Sequence, residues 1–573
     1  MVYIFHVKFF CVWHASSNSC DIYNLEDAMM NKTLFASQTK SADPALIVNE
    51  AGGKAYRFDN KHALAQLVAT GTLSHTFYVD AKMQLQQVLD LAASVDAEFI
   101  AKTAVYARQH ALMKDMPILL LAILSMKEDG QESFKAAFPK VVDNGKQLRN
   151  FVQMLRSGVI GRKSLGSLPK KMVNAWLTEA SDYQLLSASV GNEPSLADVI
   201  KMMHPKPKMR EQEAFFAYVL GKPYEFSVLP ERVQQLIRFR ADVTQPIPDV
   251  PIQLLMGFGL DAAQWATVAR QGSWQMIRMN LNNFAKYGVF EQDGMVDRIA
   301  EKLVDIEAVR KSRVFPYQLL MTWSALDEAV PERIRSALAR AMDISLANVP
   351  QLSGRVVVAV DVSGSMQFPV TGYRKGASSR LRCVDAAALF AAALRRVNPD
   401  VRIMPFDTRV HEDVNAGLSH VESKQTGFWF GGRSRRLVSN SKLNVLELAA
   451  HLASKGGGGT DCSLPLKLLN AEQAQVDMMI YFSDNESWVD AKLGRGTAMM
   501  AEWNALKSRS PNARLVCVDV QPYPHAQVKE RHDVLNIGGF ADEVFRLIGL
   551  FAKDELYADH WVREIEQIQL RVN

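Results

Sequence analysis

Asp361, Ser363 and Ser365 form a D-x-S-x-S pattern directly after the apolar run Val356–Val360. Alternate residues of an extended turn can aim their side chains at one point. One carboxylate and two hydroxyls are hard oxygen donors suited to Mg²⁺. Two further segments share this construction. "GGGGTDCSLP" places Thr460 after a flexible glycine run and before a helix, and "YFSDNES" places Asp484 just past another apolar run. A donor set rich in hydroxyls and poor in carboxylates leaves a divalent cation under-neutralised. The competing reading is a strand-to-helix turn whose hydroxyls act as caps. Nucleotide hydrolysis is disfavoured, because Lys455 precedes the glycines and the G-x-x-x-x-G-K-[ST] order is missing. A serine nucleophile elbow is disfavoured too, because no glycine lies two residues before either serine. A two-metal nuclease would want more convergent carboxylates.

A second set of residues carries positive charge. Between Gly145 and Met172 lie Lys146, Arg149, Arg156, Arg162, Lys163, Lys170 and Lys171, with no Asp or Glu among them. Some 30 residues on, "MMHPKPKMR" adds His204, Lys206, Lys208 and Arg210. Uninterrupted basic residues on a helical array are the electrostatic footprint of a nucleic-acid surface. The ordinary alternative is a solvated helix face, and His204 alone also reads as a loop or packing residue.

The elements that must position these residues fall into two grammars. From about residue 55 to 350, apolar residues recur at three-and-four spacing, as in "DAKMQLQQVLDLAASVDAEFIAKTAVYARQHA" and "DMPILLLAILSMKED". Asp80 and Asp115 are expected N-caps, with Pro117 in a first helical turn. "PERVQQLIRFRADV", "LDAAQWATVARQ" and "PYQLLMTWSALDEA" read as further helices, and strand patterns are nearly absent. Many antiparallel helices without a fixed period imply a HEAT-like array. After about Leu352, short apolar strands alternate with helices. That pattern predicts a mostly parallel, doubly wound sheet with ligands at the carboxyl ends of its strands.

The 573 residues exceed the usual size of one domain, and a chain 48% hydrophobic and 22% charged can bury large cores. The net charge of +5 is too small to identify a polyanion partner by itself. The five cysteines are scattered, without a CxxC pair, which excludes a disulfide framework or a cysteine zinc site and suits a reducing cytosol. No stretch of about 18 apolar residues would span a bilayer. "MVYIFHVKFFCVWHASS" lacks a basic n-region and is broken by His6 and Lys8. Residues 1–29 are therefore expected to be an unaligned leader, with Met29-Met30 a natural start and a cytoplasmic location.

The D-x-S-x-S, Thr460 and Asp484 segments together resemble a von Willebrand factor A domain with a metal-ion-dependent adhesion site. The resemblance implies that Ser363, Ser365 and Thr460 touch Mg²⁺ or another divalent cation directly, while Asp361 and Asp484 act through water. It also implies an open coordination position for a carboxylate or phosphate. "AKTAVYARQHALMKDMPILLLAILS", "RSGVIGR…LPKKMVNAWL" and "SLADVIKMMHPKP" are similar to the TROVE module of Ro ribonucleoproteins, whose chains end in such an A domain. Lys170, Lys171, His204 and Lys206 match basic positions of that module, whereas Leu196 follows Ser195 where the family commonly has a histidine.

The family resemblance implies a mainly α-helical HEAT-like repeat ring over residues 30–350. It is closed by an α/β, Rossmann-like A domain over 351–573, whose C-terminal tail packs on the ring. It further implies a non-enzymatic, monomeric protein binding small noncoding Y-like RNAs and the single-stranded ends of misfolded RNAs. An exoribonuclease such as polynucleotide phosphorylase is an implied partner. The alternatives are an A-domain protein adaptor without an RNA role and, less favoured, a metal-dependent hydrolase.

Overall fold

The computed structural model describes residues 45–312, 314, 316–346, 349–373, 381–411, 428–430, 433–435, 445–488, 496–556 and 560–570. The expected leader, with Cys11 and Cys20, lies outside them. Cys383, Cys462 and Cys517 are buried and form no disulfide among the described residues.

The first half is helical. After a hairpin, β1 (Leu46–Val48) and β2 (Lys54–Arg57), come α1 (Asn60–Thr70), α2 (Ala81–Ser94), α3 (Ala97–Gln109), α4 (Met116–Leu124) and α5 (Gln131–Val141). The next five are α6 (Gly145–Arg156), α7 (Ser167–Glu179), α8 (Asp182–Ala188), α9 (Leu196–Met203) and α10 (Arg210–Val219). Then follow α11 (Glu231–Ala241), α12 (Ala262–Gln271), α13 (Trp274–Lys286), α14 (Met295–Leu303), α15 (Ile306–Ser312), α16 (Pro316–Ser324) and α17 (Glu332–Ser345). Local chemistry starts and stops these helices. Asp80 accepts hydrogen bonds from the Lys82 and Met83 amides, and Asp96 from that of Phe99 at 2.8 Å, which splits the long periodic run into α2 and α3. Asp115 makes no such side-chain cap; Pro117 fixes the first turn of α4 instead. α4 is apolar on every side and buried on every residue, the pattern of a core helix packed by neighbours all round.

The second half holds a five-stranded parallel sheet. Its strands are β3 (Val356–Asp361), β4 (Arg402–Phe406), β7 (Met478–Ser483), β8 (Arg514–Asp519) and β10 (Val534–Gly538), in the order β10-β8-β7-β3-β4. Between them lie α18 (Cys383–Val397), a hairpin of β5 (Phe428–Phe430) and β6 (Arg433–Arg435), α19 (Val445–Ala453), α20 (Leu464–Ala471), α21 (Ala498–Lys507) and the short β9 (His525–Ala526). α22 (Glu543–Ala552) and α23 (His560–Glu566) complete the chain. β3 and β7 are buried on every residue, as strands covered on both faces must be. The chain runs outward from β3 to β4, then returns to the other side of β3 through β7, β8 and β10. The topological switch point therefore falls between β3 and β7.

Both ends of the helical array rest on this sheet domain. At one end β2 pairs with β9, α1 packs on β10, and α23 packs on α1 and α3. Lys61 forms an ion pair with Glu566 at 2.6 Å. At the other end α16 lies against α18, and α17 against α19. The helical repeats thus begin and end on the α/β domain. The β1–β2–β9 sheet and the strand β10 were not read from the sequence.

Candidate metal centre and nucleic-acid interface

Asp361 is the last residue of β3 and Asp484 the first after β7, so the two carboxylates end neighbouring strands at the switch point, where such sheets bind ligands. The D-x-S-x-S turn is held from within: the Ser363 amide donates to Asp361 Oδ1 at 2.9 Å, and the Ser363 and Ser365 hydroxyls lie 3.3 Å apart. Ser483, at the end of β7, donates to Asp361 Oδ2 at 2.6 Å and fixes the remaining oxygen.

The glycine run packs on this turn. The Gly457 amide donates to Val362 O, and that of Gly364 to Gly458 O, both at 2.8 Å. Gly456 has φ +75°, and a Cβ there would lie 2.3 Å from Val362 Cγ2; only glycine fits this approach. Thr460 follows, positioned by the Asp461 amide on Asp407 O and by Ser487 Oγ, which donates to Thr460 O at 3.4 Å.

All five predicted donors, Asp361, Ser363, Ser365, Thr460 and Asp484, are buried. Burial and the charge of Asp484 push the Asp361 carboxyl up to about 7, and burial raises Asp484 as well. Asp484 Oδ1 accepts from the Glu486 amide, while its buried Oδ2 has no hydrogen-bond partner. Two desolvated carboxylates at one crevice, one with an orphaned oxygen, and three hydroxyls converging on the same strand ends fit a hard divalent cation. Three histidine, cysteine or acidic residues in ligating range of one another are not found among the described residues, so a carboxylate- or thiolate-rich site is not what is built here.

Sequence reasoning missed how the helical half reaches this centre. Burial, with the charges of Asp484, Glu486 and Asp361 nearby, raises the Tyr78 hydroxyl. Asn49 donates to Ser487 O at 3.2 Å, and the Ala51 amide to Glu486 Oε2 at 2.9 Å. The aromatic-rich "HTFYVD" ahead of α2 was the available signal.

The basic residues divide into two groups. Arg156 at the end of α6, Lys163 in the following loop and Lys170 in α7 line an open cavity of about 420 Å³ with Gly166, Ser167, Met202 and Met203. No acidic side chain lines it. α7 starts at Gly166 (φ 78°) without a side-chain cap and without an acidic residue in its first turn. Its free amides and the lysines therefore concentrate positive potential, and the nearby Asp198 carboxylate in α9 offsets only part of the Arg156 charge. Asn174 donates to Met203 O and Gln212 to Leu177 O, tying α9 and α10 to α7. Lys146, Lys171, Lys206 and His204 are exposed nearby in the chain, His204 as the left-handed C-cap of α9. His204 also lines a second cavity of about 430 Å³ with Lys201, Pro205, Phe216 and Lys222.

Three of the basic residues have protein partners of their own. Arg149 is buried, and its guanidinium donates to Val190 O and Pro194 O. It braces the loop before α9 and is not a phosphate contact. Arg162 turns back to donate to Leu165 O. Lys208 lies 3.6 Å from Glu179. Where the histidine-containing stretch was expected, Ser195 caps α9 in a reciprocal pair with Asp198.

Known proteins show the same two-part arrangement. Residues 355–552 match the family model for the Ro60 vWA domain, and residues 259–389 match that for the TROVE domain. The RNA-binding protein RO60 of Deinococcus radiodurans is 24% identical over 563 residues, covering 91% of this chain and 97% of that protein. The RNA-binding protein RO60 of Caenorhabditis elegans is 24% identical over 303 residues, covering 49% of this chain and 40% of that protein. The crystal structure of the D. radiodurans RO protein superposes with a TM-score of 0.55 at 19% identity, covering 87% of this chain and all of that one. With its helical repeats joined to a parallel-sheet A domain, the chain belongs to the TROVE-domain Ro family.

Proposed function

We propose that this protein binds RNA without chemically altering it and serves as a scaffold for noncoding RNA quality control, maturation or decay. The observation that carries this reading is the cavity at the start of α7, where Arg156, Lys163 and Lys170 surround uncapped helix amides and no acidic side chain lines the wall. Phosphates are the ligand that this arrangement suits, with sequence preference coming from contacts beyond the backbone. The relatives named above are described as RNA-binding proteins, which supports the same conclusion. Small Y-like RNAs and single-stranded ends of misfolded RNAs are the proposed ligands, and an exoribonuclease such as polynucleotide phosphorylase the proposed protein partner, in a cytoplasmic, monomeric ring.

The A-domain crevice is proposed to hold Mg²⁺ through Ser363, Ser365 and Thr460, with Asp361 and Asp484 behind bound water. Bound there, the cation supplies a net positive charge with an open coordination position for an acidic oxygen. The chain's own residues shape that position: Ser483 and the Ser363 amide orient Asp361, and the Val362–Gly457 hydrogen bond sets the distance of the glycine loop.

Crosslinking and sequencing of RNA that copurifies with the protein tests the reading. A discrete set of small RNAs is expected with the wild type and its loss with Lys163→Glu combined with Lys170→Glu. Equal recovery from both proteins would refute it.

A further inference from the structure

The seam between the helical half and the A domain exposes aromatic rings where a folded surface would normally hide them. Phe77, Tyr373 and Trp488 are 46%, 60% and 50% exposed. They flank the metal crevice. On one side an aromatic series runs from Tyr373 to Phe368 (centroids 4.8 Å apart), to Phe77 (5.4 Å) and to Tyr78 (4.6 Å), whose hydroxyl feels the charges of Asp484 and Asp361. On the other side Trp488 lies on the glycine loop: a Cβ on Gly459, the residue before Thr460, would come within 2.4 Å of its indole Nε1. The series is fixed by the two-way backbone pairing of His75 with Tyr373, at 3.2 and 2.7 Å. Exposed rings on both sides of a buried oxygen-donor site, one series fixed by backbone pairing and the other ring packed on the glycine loop, are a built surface and not scattered apolar residues.

The ligand such a surface fits combines an anionic oxygen with flat apolar groups a few ångströms away. We propose that the aromatic collar of Tyr373, Phe77 and Trp488 stacks unpaired nucleobases of single-stranded RNA while a phosphate of the same strand enters the open position at Ser363, Ser365 and Thr460. This rests on the RNA reading and the metal reading above. A nucleic-acid strand is favoured over an acidic protein loop because rings stand on both sides of the open position, in series. They can serve successive bases, and stacking platforms beside a positive centre are how single strands are held without sequence preference.

The test uses the full-length protein and a short oligouridylate containing 4-thiouridine, irradiated with Mg²⁺ or with EDTA, with crosslinks located by mass spectrometry. The proposal expects crosslinks at Trp488, Tyr373 or Phe77 that require Mg²⁺. Trp488→Ala with Tyr373→Ala is expected to remove them and to weaken oligonucleotide binding by about 30-fold or more, the effect of losing two stacked bases. Trp488→Phe, which keeps a stacking face, should restore most of the binding. Collar crosslinks that persist in EDTA, or affinity unchanged in the double variant, would overturn it. So would protection of Trp488 from fluorescence quenching by a glutamate-containing peptide and not by the oligonucleotide. If Lys163→Glu with Lys170→Glu abolishes RNA binding while the collar variant does not, the RNA reading stands and the collar proposal fails. If neither variant has an effect, the RNA reading itself fails.

Discussion

At the scale of single residues, position in the fold separates side chains that look alike in sequence. Lys170 and Arg149 belong to one basic run, yet one lines an open cavity and the other is a buried strut. Arg149→Met leaves the carbonyls of Val190 and Pro194 without their donor and is expected to cost about 3 kcal/mol of stability. RNA affinity per folded molecule should be unchanged, as paired denaturant and binding titrations would show. Asp361 has the opposite balance. Its buried carboxyl already opposes folding in the absence of a cation, so Asp361→Ala is expected to leave metal-free stability unchanged or raised. The rise in melting temperature with Mg²⁺ should vanish; for wild type it corresponds to about 2.7 kcal/mol at a hundredfold excess over Kd. Differential scanning calorimetry with and without Mg²⁺ measures both. The proposed metal donors stand out in the sequence as three short motifs, two just past apolar strands and one after a glycine run. The fate of each arginine was not legible there, since a basic run does not say which way its side chains turn.

At the scale of elements, the glycine loop is the part most dependent on backbone geometry. Gly456→Ala places a methyl group against Val362 at a left-handed position and is expected to destabilise the A domain by about 2–4 kcal/mol. Mg²⁺ affinity should fall as well, because Thr460 moves with the loop. Calorimetry that shows neither change would refute the role given to this loop. Fewer than half of the helices, α2–α4, α11, α12 and α16 among them, and four of the five parallel strands were readable from periodicity, and Asp80 from its capping position. The hairpin β1–β2 and strand β9 were not: at two to four residues each they carry too little pattern, and β2 finds its partner almost 470 residues away. β10 escaped because "VLNIG" is short and interrupted by Asn536, whose amide nitrogen donates to Glu530 and to Val528 O.

At the scale of the whole molecule, the array returns to the domain that closes it, and two buried histidines mark that seam. His62 in α1 stacks on Phe58 and meets the edge of Trp561, while His525 in β9 lies on the strand that pairs with β2. Burial lowers both imidazoles to about 4. The unfolded chain therefore binds more protons between about pH 6.5 and 4. Stability is complete above pH 6.5 and is lost as the pH falls towards 4, by about 3 kcal/mol per histidine. His62→Asn should flatten this slope, measured by urea unfolding across that range. Closure itself could not be read from the sequence, because it depends on contacts between chain segments that share no local pattern.

The central claim, that phosphates bind the cavity at the start of α7, is met most directly by the salt dependence of single-stranded RNA binding. Wild type should lose affinity linearly in log Kd against log salt. Lys163→Ala with Lys170→Ala should make that slope shallower by about 1.4, the release of two counterion contacts on a single strand. An identical slope in the two proteins would contradict the account.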